Sequence, residues 1–121
     1  MLATFFVLGA IFGGSGVALG AFGAHALASR VSSERLNTFE TGVRYQLVHA
    51  LALLATAVAG SSFPTSSWPL YAGWLFVAGI VLFSVSLYLL VLSGKRWLGA
   101  ITPFGGLAMI AGWLCLLLSA L

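Results

Sequence analysis

The stretch GAIFGGSGVALGAFGAHAL, residues 9–27, decides how this chain must be read. It has the length of a bilayer-crossing helix, carries no acid or base until His25, and contains six glycines: Gly9, Gly13, Gly14, Gly16, Gly20 and Gly23. In water each glycine weakens a helix by roughly 1 kcal/mol relative to alanine. In lipid, where no hydrophobic force drives helices together, small residues let backbones approach and so carry the packing. Gly9, Gly13, Gly16, Gly20 and Gly23 are spaced 4, 3, 4 and 3. That is a seam down one helix face in a 3.5-residue rhythm.

Composition supports a lipid-solvated chain. Of the 121 residues 61% are hydrophobic and 6% charged, against roughly 25% charged in soluble domains. A soluble core of this size cannot hide so much apolar surface. The net charge of +3 rests on five basic residues in two short clusters. A nucleic-acid footprint needs a broad basic face, so no nucleic-acid partner is expected. The single cysteine, Cys115, excludes an intramolecular disulfide.

Four apolar runs set a single transmembrane domain, with spans at about 2–26, 43–60, 69–93 and 98–121. The short second run reaches spanning length when extended back through its polar approach, whose charged ends snorkel to the head groups. The first run is retained rather than cleaved. It lacks a basic n-region and exceeds the 7–15 apolar residues typical of a signal peptide. Arg30, Arg35 and Arg44 lie between spans one and two, and Lys95 and Arg96 between spans three and four. By the positive-inside rule these loops are cytoplasmic and both termini lie outside. Trp68, Trp74 and Trp97 stand near span ends, where aromatic belts form.

Span four repeats the small-residue design with Gly105, Ala108, Gly112, Cys115 and Ser119. Span three carries a sparser version, Ala72, Gly79, Ser86 and Ser93. The fold expected is all-α: four transmembrane helices in a tightly packed bundle. Pro103 falls in the first turn of span four, where proline is tolerated. A close-packed centre argues against a wide pore through one subunit, and neither inverted repeats nor paired broken helices mark a transporter.

Polar chemistry gathers in SSERLNTFETGVRYQLVHAL, residues 32–51. Ser32 or Ser33 is the expected N-cap, with Glu34 favouring the helix dipole. Leu36, Phe39, Val43 and Leu47 recur at helical spacing. This predicts a short amphipathic segment on the cytoplasmic surface that turns inward near Gly42. Glu40 and Arg44 are i,i+4 partners, acid first. Tyr45 and His49 share a face with Thr41 and Thr56, and Gln46 adjoins it. Counted from the cytoplasmic ends, His25 and His49 should lie at similar depth. His25, Glu40, Arg44, Tyr45, Gln46 and His49 form the candidate polar or ligand cluster, with no catalytic or metal set assigned. The zinc spacing HExxH and the haem-attachment spacing CxxCH are both missing.

GAFGAHAL (20–27) followed by FETGVRYQLVHALALL (39–54) resembles the small four-span bacterial membrane proteins catalogued as domain of unknown function four-two-three. The resemblance covers essentially the whole chain. It implies a bacterial inner-membrane protein with a distant eukaryotic transmembrane relative. It directs attention to Gly20, Gly23, His25, Glu40, Gly42, Tyr45, Gln46 and His49, and implies no activity or cofactor.

The functional expectation is a non-catalytic packing, assembly or lipid-binding component, with the bilayer, a homo-oligomer or a larger membrane complex as partner. The alternative is an oligomeric conduit for protons or small solutes using the His/Glu/Tyr cluster. A bis-histidine haem or metal carrier comes third.

Overall fold

A computed structural model describes residues 2–121 as helices joined by short turns, with no strand among the described residues. Span one is α1 (Leu2–Phe22) continued by a π-helical turn, Gly23–Leu27. Span two is α2, one unbroken helix over Ser33–Ser62. Span three comprises α3 (Trp68–Gly79), a π-helical stretch Ile80–Val85, and α4 (Ser86–Ser93). Span four enters through a 3₁₀ turn, Arg96–Ala100, into α5 (Thr102–Leu118). All four are long and apolar enough to cross a membrane. The chain is a four-span membrane protein.

Local chemistry marks the helix ends. Ser32 caps α2, its hydroxyl accepting from the Arg35 backbone N–H at 3.2 Å. Gly94, at φ 74°, closes α4 in the left-handed conformation that a side chain resists. Its N–H returns to the Leu90 carbonyl at 2.8 Å. Pro103 falls in the first turn of α5, where its missing N–H costs no helical bond.

The surface segment that sequence periodicity turns inward at Gly42 does not bend there. Residues 33–42 continue straight into span two. With 30 residues rising 1.5 Å each, α2 is about 45 Å long, against a hydrocarbon core of about 30 Å. Its polar approach continues the helix instead of lying flat, and the helix is long enough to reach beyond the hydrocarbon. Gly42 serves packing: a Cβ there would sit 2.7 Å from Cε1 of Tyr88 and 3.3 Å from the Ser84 carbonyl.

Spans two and three form the centre, and spans one and four flank them with mostly lipid-facing surfaces. One core draws on all four: Phe5 from span one, Leu53 and Ala57 from span two, Phe76 and Ile80 from span three, Met109 and Cys115 from span four. A second cluster, at the end carrying Arg30, Arg35, Lys95 and Arg96, is built from Leu27, Phe39, Val43, Tyr88 and Val91.

The glycines of span one face span two in one antiparallel register. Gly9 meets Leu54 and the Ala50 carbonyl, Gly13 meets Ala50, Gly16 meets Leu47, Gly20 meets Val43, and Gly23 meets Phe39. Span four approaches span three as closely. A Cβ on Gly105 would strike the Phe83 backbone nitrogen, and one on Gly112 would lie 2.7 Å from the Phe76 ring. Between these glycines Met109 is the buried residue, with Ala108 only half-buried. Gly14, on the opposite side of α1, is different: a Cβ added there would have nothing within 4 Å.

These contacts rank the glycines. Gly105→Ala forces backbone apart and should destabilise by about 1–3 kcal/mol. Gly14→Ala should be neutral or up to about 1 kcal/mol stabilising, because it only improves helix propensity. Melts in detergent check both. Equal losses at the two sites would show that the packed faces are misplaced.

Candidate functional site

The polar residues of the 39–54 motif divide between the inside and the outside of the bundle. Gln46 and His49 are buried, whereas Glu40, Arg44 and Tyr45 are exposed. Glu40 and Arg44 occupy the side of α2 opposite Gly42, Gln46 and His49.

Gln46 joins three spans. Its side-chain Nε2 donates to the Phe12 carbonyl and to Ser15 Oγ of span one, each at 2.9 Å. Its Oε1 accepts from the Tyr88 hydroxyl of span three at 2.7 Å. The Phe12 carbonyl also closes a helical bond to Gly16 and accepts from Ser15 Oγ at a long 3.4 Å, so the bond from the Gln46 amide at 2.9 Å is the shorter of its two side-chain contacts. Gly16 leaves that approach open, since a Cβ there would lie 3.4 Å from Gln46 Nε2 and 2.7 Å from Leu47. One turn earlier, Gly42 gives Tyr88 room to lie across α2 while Ser84 Oγ donates to the Gly42 carbonyl at 2.6 Å. Ser84 belongs to the π-helical stretch, a form used mostly for single wide turns at special sites.

His49 joins a fourth span. Its Nδ1 lies 2.8 Å from the Tyr45 backbone carbonyl, and the Trp113 indole Nε1 donates to its Nε2 at 3.0 Å. A carbonyl can only accept and an indole N–H can only donate. The two contacts therefore fix a neutral imidazole with its proton on Nδ1. The ring also packs against Phe76 at 5.6 Å and Trp113 at 5.8 Å between centroids, and Tyr45 lies nearly parallel to it at 6.2 Å. Beside it, Tyr45, Phe83, Met109, Ile110 and Trp113 line a largely apolar cleft of about 310 Å³.

His25 is not part of this arrangement. It is exposed, in the π turn that closes span one. Extending the register of Gly20 on Val43 and Gly23 on Phe39 places it level with residues 37–38. His49 lies about eleven residues deeper, or about 16 Å at 1.5 Å per residue. Counting inward from each basic loop puts the two histidines near one depth only because it begins span two near residue 43. The helix begins ten residues earlier.

The residues that sequence reading misses are the acceptors and donors on other spans: Ser15, Ser84, Tyr88 and Trp113. Two signals point to them. Ser84 and Tyr88 are i,i+4 neighbours on one face, and Trp113 brings an N–H into a span where it must find an acceptor. Among the described residues no three His, Cys, Asp or Glu side chains converge as a metal site. No buried side-chain N or O among them is left without a hydrogen-bond partner.

Tyr88→Phe strands the Gln46 carbonyl and should cost about 0.6 kcal/mol, the average for interhelical bonds in membranes, and at most about 1.7 kcal/mol. His25→Ala should leave the melt unchanged. A comparable loss from both would contradict the placement of His25 at the surface. Nitrogen-15 NMR of His49 at pH 7 should show a protonated Nδ1 and a bare Nε2. The opposite tautomer would rule out the Trp113 bond.

The comparisons agree with this architecture. A family model described as protein of unknown function (DUF423) matches residues 19–106, which include both motifs and the start of span four. A UPF0382 membrane protein of Staphylococcus haemolyticus is 46% identical over 116 residues, covering 95% of this chain and 93% of its own. The UPF0382 membrane protein YwdK of Bacillus subtilis is 44% identical over 116 residues, covering 96% of this chain and 94% of its own. No solved structure matches the chain. The chain belongs to the DUF423 family of small membrane proteins of unknown function.

Proposed function

We propose that this protein is a non-catalytic component of the bacterial inner membrane, acting by binding lipid or a larger membrane assembly, with both termini outside the cytoplasm. The observation that carries the reading is the fate of the motif's buried polar groups. Gln46 spends its amide on spans one and three, and both His49 nitrogens are engaged by Tyr45 and Trp113. A general base or nucleophile needs an open lone pair within reach of a substrate. Here those lone pairs hold helices together. The large surfaces that spans one and four turn outward suit a protein that works by contact.

The orientation rests on charge. Arg30, Arg35, Lys95 and Arg96 share one end of the bundle, and such residues stay on the cytoplasmic side. A conduit along His25, Glu40 and His49 has less in its favour, because two of the three are exposed and His25 is far from His49 along the axis. A bis-histidine haem site asks for two free imidazole lone pairs at one centre. The His49 Nε2 lone pair instead accepts the Trp113 indole.

Reporters fused to each terminus should be active only outside the cytoplasm. A cytoplasmic C-terminal reporter would reverse the orientation. Liposomes holding the purified protein should pass protons no faster than empty ones. A flux lost in His49→Gln with an unchanged melt would replace this reading with the conduit.

A further inference from the structure

We propose that the basic end of the bundle carries a site for the phosphodiester headgroup of an anionic phospholipid, held between Arg35 and Arg96. This rests on the lipid-binding form of the function proposed above. A cavity of about 330 Å³ there is lined by Ser32, Glu34, Arg35, Thr38, Leu90 and Arg96. Its two guanidiniums come from different spans, Arg35 in the first turn of span two and Arg96 at the start of span four. Keeping a loop in the cytoplasm needs basic residues somewhere within it. It does not need residues of two spans to face one cavity.

Arg35 is held in place. Its Nη1 donates to the Leu90 carbonyl in the last turn of α4 at 3.1 Å, using one of the five donors of its planar fork. The two wall hydroxyls are uncharged, and each already makes one hydrogen bond. Ser32 Oγ accepts from the Arg35 backbone, and Thr38 Oγ donates to the Glu34 carbonyl. The charged groups that face a ligand are the two guanidiniums and the Glu34 carboxylate, one net positive charge. That balances the single negative charge of a phosphodiester, which a guanidinium fork fits by geometry as well as charge. Glu34 then suits a hydroxyl of the headgroup, such as the glycerol of phosphatidylglycerol, better than a second anionic group.

The depth is right for a lipid. Trp97, next to Arg96, exposes its indole, the side chain that settles at headgroup level. Leu90 forms an apolar wall, and the neighbouring Leu89 and Leu92 are exposed where acyl chains would run. Basic pockets between spans on the cytoplasmic side are a recurrent way to hold anionic headgroups.

The test is a lipid titration of the full chain in non-ionic detergent, read by its melting temperature and by native mass spectrometry. Phosphatidylglycerol should raise the melt and remain bound, and phosphatidylcholine should do neither. Arg96→Gln should weaken apparent phosphatidylglycerol binding about fivefold. Arg35→Gln also breaks the Leu90 bond, so Arg96→Gln is the cleaner variant. Arg30→Gln with Lys95→Gln removes charge from the same end but outside the cavity, and should leave binding unchanged. Full binding by Arg96→Gln, or an equal loss in the Arg30/Lys95 pair, overturns the site while leaving a lipid-binding protein. An equal rise in melting temperature from inorganic phosphate alone overturns the lipid assignment. No retained lipid and no response to either phospholipid overturns the site and the lipid-binding reading together.

Discussion

In hydrocarbon a primary amide with an open hydrogen-bonding group has no water to turn to, and Gln46 sits buried among three spans. Its partners are therefore obligatory. Phe12 and Ser15 must lie on one side of it and Tyr88 on the other. Glycine seams let helices slide, because small residues are alike at every turn. The amide does not slide. A one-turn shift of span one would carry Ser15 and the Gly16 gap away from Nε2, leaving a donor unpaired. The seam sets how close spans one and two come, and Gln46 sets where they stop. Interhelical bonds in membranes average only about 0.6 kcal/mol, so this bond acts more on register than on overall stability.

The same division of labour recurs across the bundle. Gly105 and Gly112 bring span four against the Phe83 backbone and the Phe76 ring, and the Trp113–His49 bond then ties that helix to span two. Ser86 and Thr102 hydroxyls, 2.7 Å apart, link spans three and four nearer the basic end. Gly42 belongs to both systems: it is a gap for Tyr88, and its carbonyl is the acceptor for Ser84. Of the motif positions, Gly42, Gln46 and His49 thus serve packing and the pairing of polar groups between spans.

Span number and the span-one seam are legible in the sequence because each rests on a local property: apolar length in one case, spacing on one helix in the other. The candidate site is less legible because it depends on relations between helices. Nothing along residues 39–54 says that Gln46 faces Tyr88 or that His49 faces Trp113, since those partners are 42 and 64 residues away. The depth of His49 is hidden for a similar reason. Leu36, Phe39 and Val43 suit a helix lying on a surface as well as one standing upright, and only the packing of Phe39 beneath Gly23 selects the second. The exposure of Glu40 and Arg44 follows, because an upright helix with Gln46 and His49 inward must turn those charges outward.

This arrangement places the protein's available chemistry at its rim. Inside, the polar groups are paired, and a paired group in lipid cannot exchange its partner cheaply because water does not replace the lost bond. At the basic end the opposite holds. There α2 is long enough to reach beyond the hydrocarbon, and Arg35 retains donors after bonding Leu90. Trp97 exposes its indole there, a side chain that favours the level of the headgroups. The length of α2 connects the two regions: one helix supplies Gln46 to the dry centre and Arg35 to the wet end, on a rigid axis about 16 Å apart at 1.5 Å per residue. A ligand gripping Arg35 would bear on the helix whose register Gln46 fixes, so headgroup binding and bundle stability should rise together.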